Sequence, residues 1–117
     1  MRDEAHNSKL TTHNKKTMDT LKPGLTYTSS LDVTEDKLAL RVGSGDLPVF
    51  ATPAMMALME NAAMLCVQGE LAEGESTVGS HISVSHVRPT ALGKNVSATA
   101  TLLSREGRKL TFHVEAH

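Results

Sequence analysis

Cysteine is scarce in this chain: Cys66 is the only one among 117 residues. A lone thiol forms neither an internal disulfide nor a thiolate metal cluster, so disulfide scaffolds and zinc ribbons are excluded and a reducing, cytoplasmic setting is expected. An excess of either charge is missing as well. Twelve Lys and Arg stand against thirteen Asp and Glu, a net charge of −1, which supplies no bulk positive field for phosphate backbones or anionic membranes. Neither nucleic acid nor a membrane is therefore an expected partner. No apolar run approaches the roughly 18 to 20 residues that cross a bilayer. The opening stretch MRDEAHNSKLTTHNKKTMDT lacks the hydrophobic centre of a signal peptide. No internal repeat or low-complexity segment breaks up the rest, and the length suits one domain.

What is present begins after those first twenty residues, which hold almost nothing apolar beyond Leu10 and the methionines. Residues 1–20 bury too little to offset the entropy of ordering them, and they read as a flexible tail. Met18 stands just before the ordered pattern starts, so residues 1–17 read as an upstream extension. From Lys22-Pro23-Gly24 onward, Leu25, Tyr27, Leu31 and Val33 alternate with Thr26, Thr28, Ser30 and Asp32, the signature of a half-buried strand. A polar turn, Thr34-Glu35-Asp36, leads to a second alternation through Leu38, Leu40 and Val42, so the spacing predicts a hairpin. Residues 47–51 then connect to the one strong helical signal, with Thr52 as N-cap, Pro53 at the first helical position and Gly69 as the stop. In PAMMALMENAAMLCVQ only Glu60, Asn61 and Gln68 are strongly polar, and a helix this apolar must be enclosed. Three further alternating segments follow: 77–87, 94–105, and 108 to the end of the sequence. Five strands and one helix give an α+β domain over residues 21–117. One antiparallel sheet curled around the helix is the economical cover, and leftover apolar surface on the helix favours pairing with a second copy.

Six histidines compete for a functional role, and strand alternation separates them. Along the segment from Thr77 the even positions Val78, Ile82 and Val84 are the apolar ones, so His86 shares their face while His81 points outward unless a bulge intervenes. The same test turns His113 outward on the last strand. His86 is thus the histidine that can meet Glu60. Glu60 itself is a carboxylate in an apolar helix, costly unless paired, hydrogen-bonded or protonated, so it faces a cleft or an interface. Each residue also has a plainer role: His86 as a hydrogen-bonded structural side chain, Glu60 in a solvent-facing groove beside Asn61, Thr52 as a helix cap. The helix methionines fit core filling, and Cys66 reads as a buried, inert thiol. No three ligands fall on one face, so neither a metal nor another cofactor is expected.

The run FATPAM, the glutamate of ALMENAA eight residues after the threonine, and TVGSHISVSHVRPTALG together resemble the thioesterases related to fluoroacetyl-CoA thioesterase, within the hot-dog superfamily. The likeness covers about residues 20–117. It implies a hot-dog fold, with the long helix as the sausage and the sheet as the bun, usually a homodimer with active sites at the subunit boundary. It also implies Thr52, Glu60 and His86 as the catalytic set. Eight helical residues rise about 12 Å, so a Thr52 that begins the helix meets Glu60 only across a dimer. Members of the family usually continue beyond the position of Ala116-His117 into one further strand, so this sheet is expected to be shortened or completed in another way. Tyr27, Phe50 and Phe112 do not map onto an aromatic gate, and fluoroacetyl specificity is not implied.

The resemblance implies an acyl-CoA thioesterase of short or small acyl groups, and Arg88 and Lys94, with Arg108 and Lys109, are the available cations for coenzyme A phosphates. Helix-start N–H groups and the Thr52 hydroxyl would hold the oxyanion. Glu60 would attack or activate water, and His86 would move the proton. Two other classes fit the same fold: a binding module that holds an acyl-CoA or small ligand without turnover, and an enoyl-thioester hydratase. Thiol release against loss of enoyl absorbance separates them. The acyl group and the choice between dimer and tetramer are not written in the sequence.

Overall fold

The computed structural model describes residues 6–14 and 21–117 except Val87. Five strands and two helices follow one another as β1 (His6–Asn14), β2 (Thr26–Asp32), α1 (Ala39–Val42), α2 (Thr52–Gln68), β3 (Thr77–Val84), β4 (Asn95–Glu106) and β5 (Lys109–Ala116). They make one antiparallel sheet in the order β2-β4-β5-β1-β3, with α2 packed on one face.

The core forms where small and large side chains interlock. Val96, Ala98, Ala100 and Leu102 of β4 and Leu110, Phe112, Val114 and Ala116 of β5 are buried on one face, against Met55, Leu58, Met59, Ala62, Ala63 and Val67 of α2. The alanines on both layers let helix and sheet approach closely, and the methionines fill what remains. The β4–β5 hairpin turns at Gly107 and Arg108, where Gly107 adopts a φ of +63°, a value suited to glycine at the first position of a tight hairpin. One polar tie crosses from sheet to helix: the Ser29 hydroxyl, 8% exposed, donates to Asn61 Oδ1 at 2.7 Å.

Three expectations are corrected. Residues 38–42 are not a second hairpin strand; a 3-10 turn at Glu35–Lys37 and the short α1 occupy that stretch, because β2 finds its ladder partner in β4 instead. The tail reading fails for His6–Asn14, which form β1 and pair on both sides, with β5 and with β3. Backbone ladder bonds on two edges hold a segment that composition alone marks as polar. Residues 1–5 and 15–20, also read as tail, lie outside the described residues. Third, α2 is not fully enclosed: Pro53, Ala57, Glu60, Asn61, Met64 and Gln68 form an exposed stripe on the face away from the sheet. The sheet is completed beside β5 by β1, in line with the expectation that it is shortened or completed in another way.

The alternation in β3 has a break with a physical cause. Its ladder to β1 pairs Thr11 with His81 and Thr12 with Gly79, skipping Ser80. An extra residue of this kind reverses the facing of everything before it. Val78, read as inward, is accordingly 66% exposed, whereas Ile82 and Val84 beyond the bulge pack against the core. From His81 to His86 the alternation is unbroken, and His81 is exposed while His86 is half-buried.

Candidate active site

The start of α2 is fixed from two sides. Ala39 N–H donates to Val49 O at 2.7 Å and Ala51 N–H to Lys37 O at 2.8 Å, while Phe50 N–H donates to Thr90 O at 2.7 Å. Bridges pair Leu38 with Phe50 and Val49 with Ala91. The chain therefore enters the helix clamped between the α1 segment and the segment that follows His86.

At that point the helix begins one residue earlier than its sequence suggests. Ala51 is the N-cap, Thr52 the first helical residue and Pro53 the second. Freed from capping, the Thr52 hydroxyl lies 2.6 Å from His86 Nδ1. When Nδ1 is unprotonated the hydroxyl donates to it; when Nδ1 carries hydrogen the imidazole donates and the hydroxyl oxygen accepts. His86 Nε2 is enclosed. Pro53 has no N–H, so Thr52 and Ala54 carry the amides left at the opening of the first turn, where the helix dipole favours negative charge. Ala39, Ser44, Val49, Phe50, Arg88 and Pro89 complete the walls of a cleft of about 250 Å³ around the pair.

The three expected catalytic residues thus divide. Thr52 and His86, 34 residues apart in sequence, are in hydrogen-bond contact. Glu60 lies two turns along α2, on the exposed stripe, about 12 Å up the axis from Thr52 by helical rise. Within one chain it does not join the pair. Arg88 and Lys94 line one pocket of about 270 Å³ with Phe50, Thr90, Asn95 and His117, and Phe50, Arg88 and Pro89 are shared with the Thr52 cleft. Arg108 and Lys109 sit at the β4–β5 turn and line neither space. Among the described residues no group of three or more His, Cys, Asp or Glu side chains is placed to hold a metal ion.

Sequence reasoning missed the contribution of the α1 segment, whose Ala39 and Ser44 wall the cleft. It also missed the tie from Ser29 to Asn61. A serine at an inward-facing strand position was the available signal for the second; nothing in the pattern marked the first.

The chain has relatives of known family. The family described as FlK, fluoroacetyl-CoA-specific thioesterase, matches residues 33–117. The chain belongs to this family. The fluoroacetyl-CoA thioesterase of Streptantibioticus cattleyicolor is 44% identical over 69 residues, 59% of this chain and 50% of that protein, so the matched stretch spans about half the length of that curated relative. The solved structure of the fluoroacetyl-CoA thioesterase FlK superposes with a TM-score of 0.69 at 26% identity, covering 85% of this chain and 90% of that one. A thioesterase superfamily member from Thermus thermophilus gives a TM-score of 0.69 at 20% identity over 86% of each chain, which bears on the fold alone. The FlK-family architecture is thus a hot-dog thioesterase fold, α+β, with one antiparallel sheet against one long helix. No helix among the described residues is long and apolar enough to cross a membrane.

Proposed function

We propose that this protein is an acyl-CoA thioesterase that hydrolyses a small acyl thioester to the free acid and coenzyme A, acting as a cytoplasmic homodimer with a composite site. The observation that carries the reading is the 2.6 Å contact between Thr52 and His86 at the mouth of α2. It sets a hydroxyl, an imidazole and a helix N-terminus around one cleft, which are the groups that thioester cleavage needs for oxyanion stabilisation and proton transfer. Membership of the FlK family supports the substrate class.

Glu60 of a second copy supplies the missing carboxylate. It takes a proton from water as hydroxide adds to the acyl carbon, or adds to that carbon itself and is released by water from the anhydride. In both routes the carbon–sulfur bond breaks and the departing thiolate receives a proton by way of His86. The exposure of Glu60 beside exposed apolar residues supports this assignment: the stripe offers Ala57 and Met64 for contact with another copy. Arg88 and Lys94 in the adjoining pocket suit the phosphates of coenzyme A.

Thiol release from a panel of acyl-CoAs is the test. Thr52→Ala, Glu60→Gln and His86→Ala each lower kcat about 10²- to 10⁴-fold, while Arg88→Ala raises KM with little change in kcat. Mixing Thr52→Ala with Glu60→Gln chains restores one working site per mixed dimer. Dead mixtures would sink the shared site, and a wild-type protein that binds acyl-CoA without releasing thiol would sink hydrolysis.

A further inference from the structure

β3 pairs with β1 and with no other strand among the described residues. The ladder ends with Ser8 opposite Val84, two residues before His86. We propose that β1 is a positioning element for His86: its ladder holds β3 in place and thereby holds the imidazole against Thr52. The proposal rests on the thioesterase reading for its catalytic consequence, but it concerns a segment outside the residues 33–117 that match the family.

His86 is held on both sides along the chain. Downstream it is anchored by Phe50 N–H donating to Thr90 O, four residues away. Upstream, β3 packs thinly: Val78 is largely exposed, and only Ile82 and Val84 reach the core, both half-buried. The β1 ladder therefore fixes the upstream side. The bulge at Ser80 adds to its importance, because a slip of one residue in that register would turn His86 to the opposite face. β1 is itself an uncommon strand, with Leu10 as its one strongly apolar residue, in register with Phe112 and Ile82. Its backbone is paired along both edges, so a change that removes ladder bonds disturbs its docking.

Because β1 is paired on both edges, each interior N–H has a ladder acceptor, and proline removes one bond and distorts the strand. In the full chain, Thr11→Pro is expected to raise deuterium uptake across Thr77–Val84 while leaving β2 and β4 protected, and to shift the His86 imidazole resonances, assigned with His86→Ala. It should lower kcat about 10²-fold through misplacement with KM nearly unchanged. In the His86→Ala background the same proline should change kcat by less than about twofold, since the group it positions is already gone. A protein that merely loses folded fraction would lose the same factor in both backgrounds. Should Thr11→Pro fail to fold, Ser8→Pro tests the same end of the ladder opposite Val84. Unchanged β3 protection, an unmoved His86 resonance, or equal losses in both backgrounds would overturn the proposal. If the wild type releases no thiol from any acyl-CoA, the thioesterase reading fails, and exchange and imidazole resonances still decide whether β1 positions His86.

Discussion

The two sides of the sheet are built differently. On the side of β2, β4 and β5, inward residues alternate almost without fault and lie against α2: Val96, Ala98, Ala100 and Leu102 on one strand, Leu110, Phe112, Val114 and Ala116 on the next. On the other side β3 is at most half-buried, and the bulge at Ser80 falls within its apolar alternation, whereas the register shift of β4 falls after Leu102. The first side carries the hydrophobic stabilisation. The second leads directly to His86, and the candidate site lies at the junction, where the helix start meets the segment after β3. Stability and site geometry therefore depend on different strands, and substitutions can separate them.

The largest effect on stability belongs to the packed side. Phe112→Ala is expected to cost about 3–5 kcal/mol, from lost burial and the cavity left between β5 and α2, read as a shift in the urea midpoint. Ile82→Ala on β3, removing a half-buried side chain, is expected to cost about 1–2 kcal/mol. Equal costs would erase the contrast between the two sides. Activity per folded molecule supplies the reverse contrast, being preserved in Phe112→Ala under conditions where it is folded.

An effect smaller than that of Phe112→Ala tests the polar tie that joins β2 to α2. Asn61→Ala leaves the Ser29 hydroxyl buried without its acceptor and is expected to cost about 1–3 kcal/mol, whereas Ser29→Ala leaves an exposed amide that water can satisfy and costs about 1 kcal/mol. The double variant should fall below the sum of the singles. Additive losses would show that the 2.7 Å contact contributes nothing of its own.

Legibility in the sequence followed the same division. Strands β4 and β5 and the helix were readable within a residue or so, because one face of each is packed and the pattern records that packing. β1 was not readable, since HNSKLTTHN carries little apolar pattern and its place depends on ladder bonds to distant segments. Residues 38–42 misled for the opposite reason: Leu38, Leu40 and Val42 alternate, yet Leu40 and Val42 are exposed in a helical turn. His86 was selected by alternation despite the bulge, because Ser80 precedes His81 and the count from there is intact. Thr52 was located but given the wrong local task, as Ala51 takes the cap and leaves its hydroxyl for His86. The two-turn separation of Glu60 from Thr52 follows from helical rise alone.

The smallest effect concerns Cys66, which sits on α2 on the packed side. Burial pushes its thiol above the ordinary value of 9.0, opposed in part by a hydrogen bond with the Leu102 backbone. The folded chain thus binds this proton more tightly than the unfolded chain. The contribution is fully present below pH 9, and stability is lost as the pH rises through the raised folded value, because the unfolded thiol ionises first. Comparing urea midpoints at pH 8 and pH 10 for the wild type and Cys66→Val isolates this slope from the other groups that titrate there. The wild type should lose slightly more stability than the variant over that interval, the effect being small for a half-buried thiol. Alkylation of folded Cys66 should also lag behind that of the urea-unfolded chain at pH 8. Identical slopes and equal alkylation rates would mean that the helix is looser against β4 than the buried Leu102 contact implies, and the contrast between the two sides of the sheet would shrink accordingly.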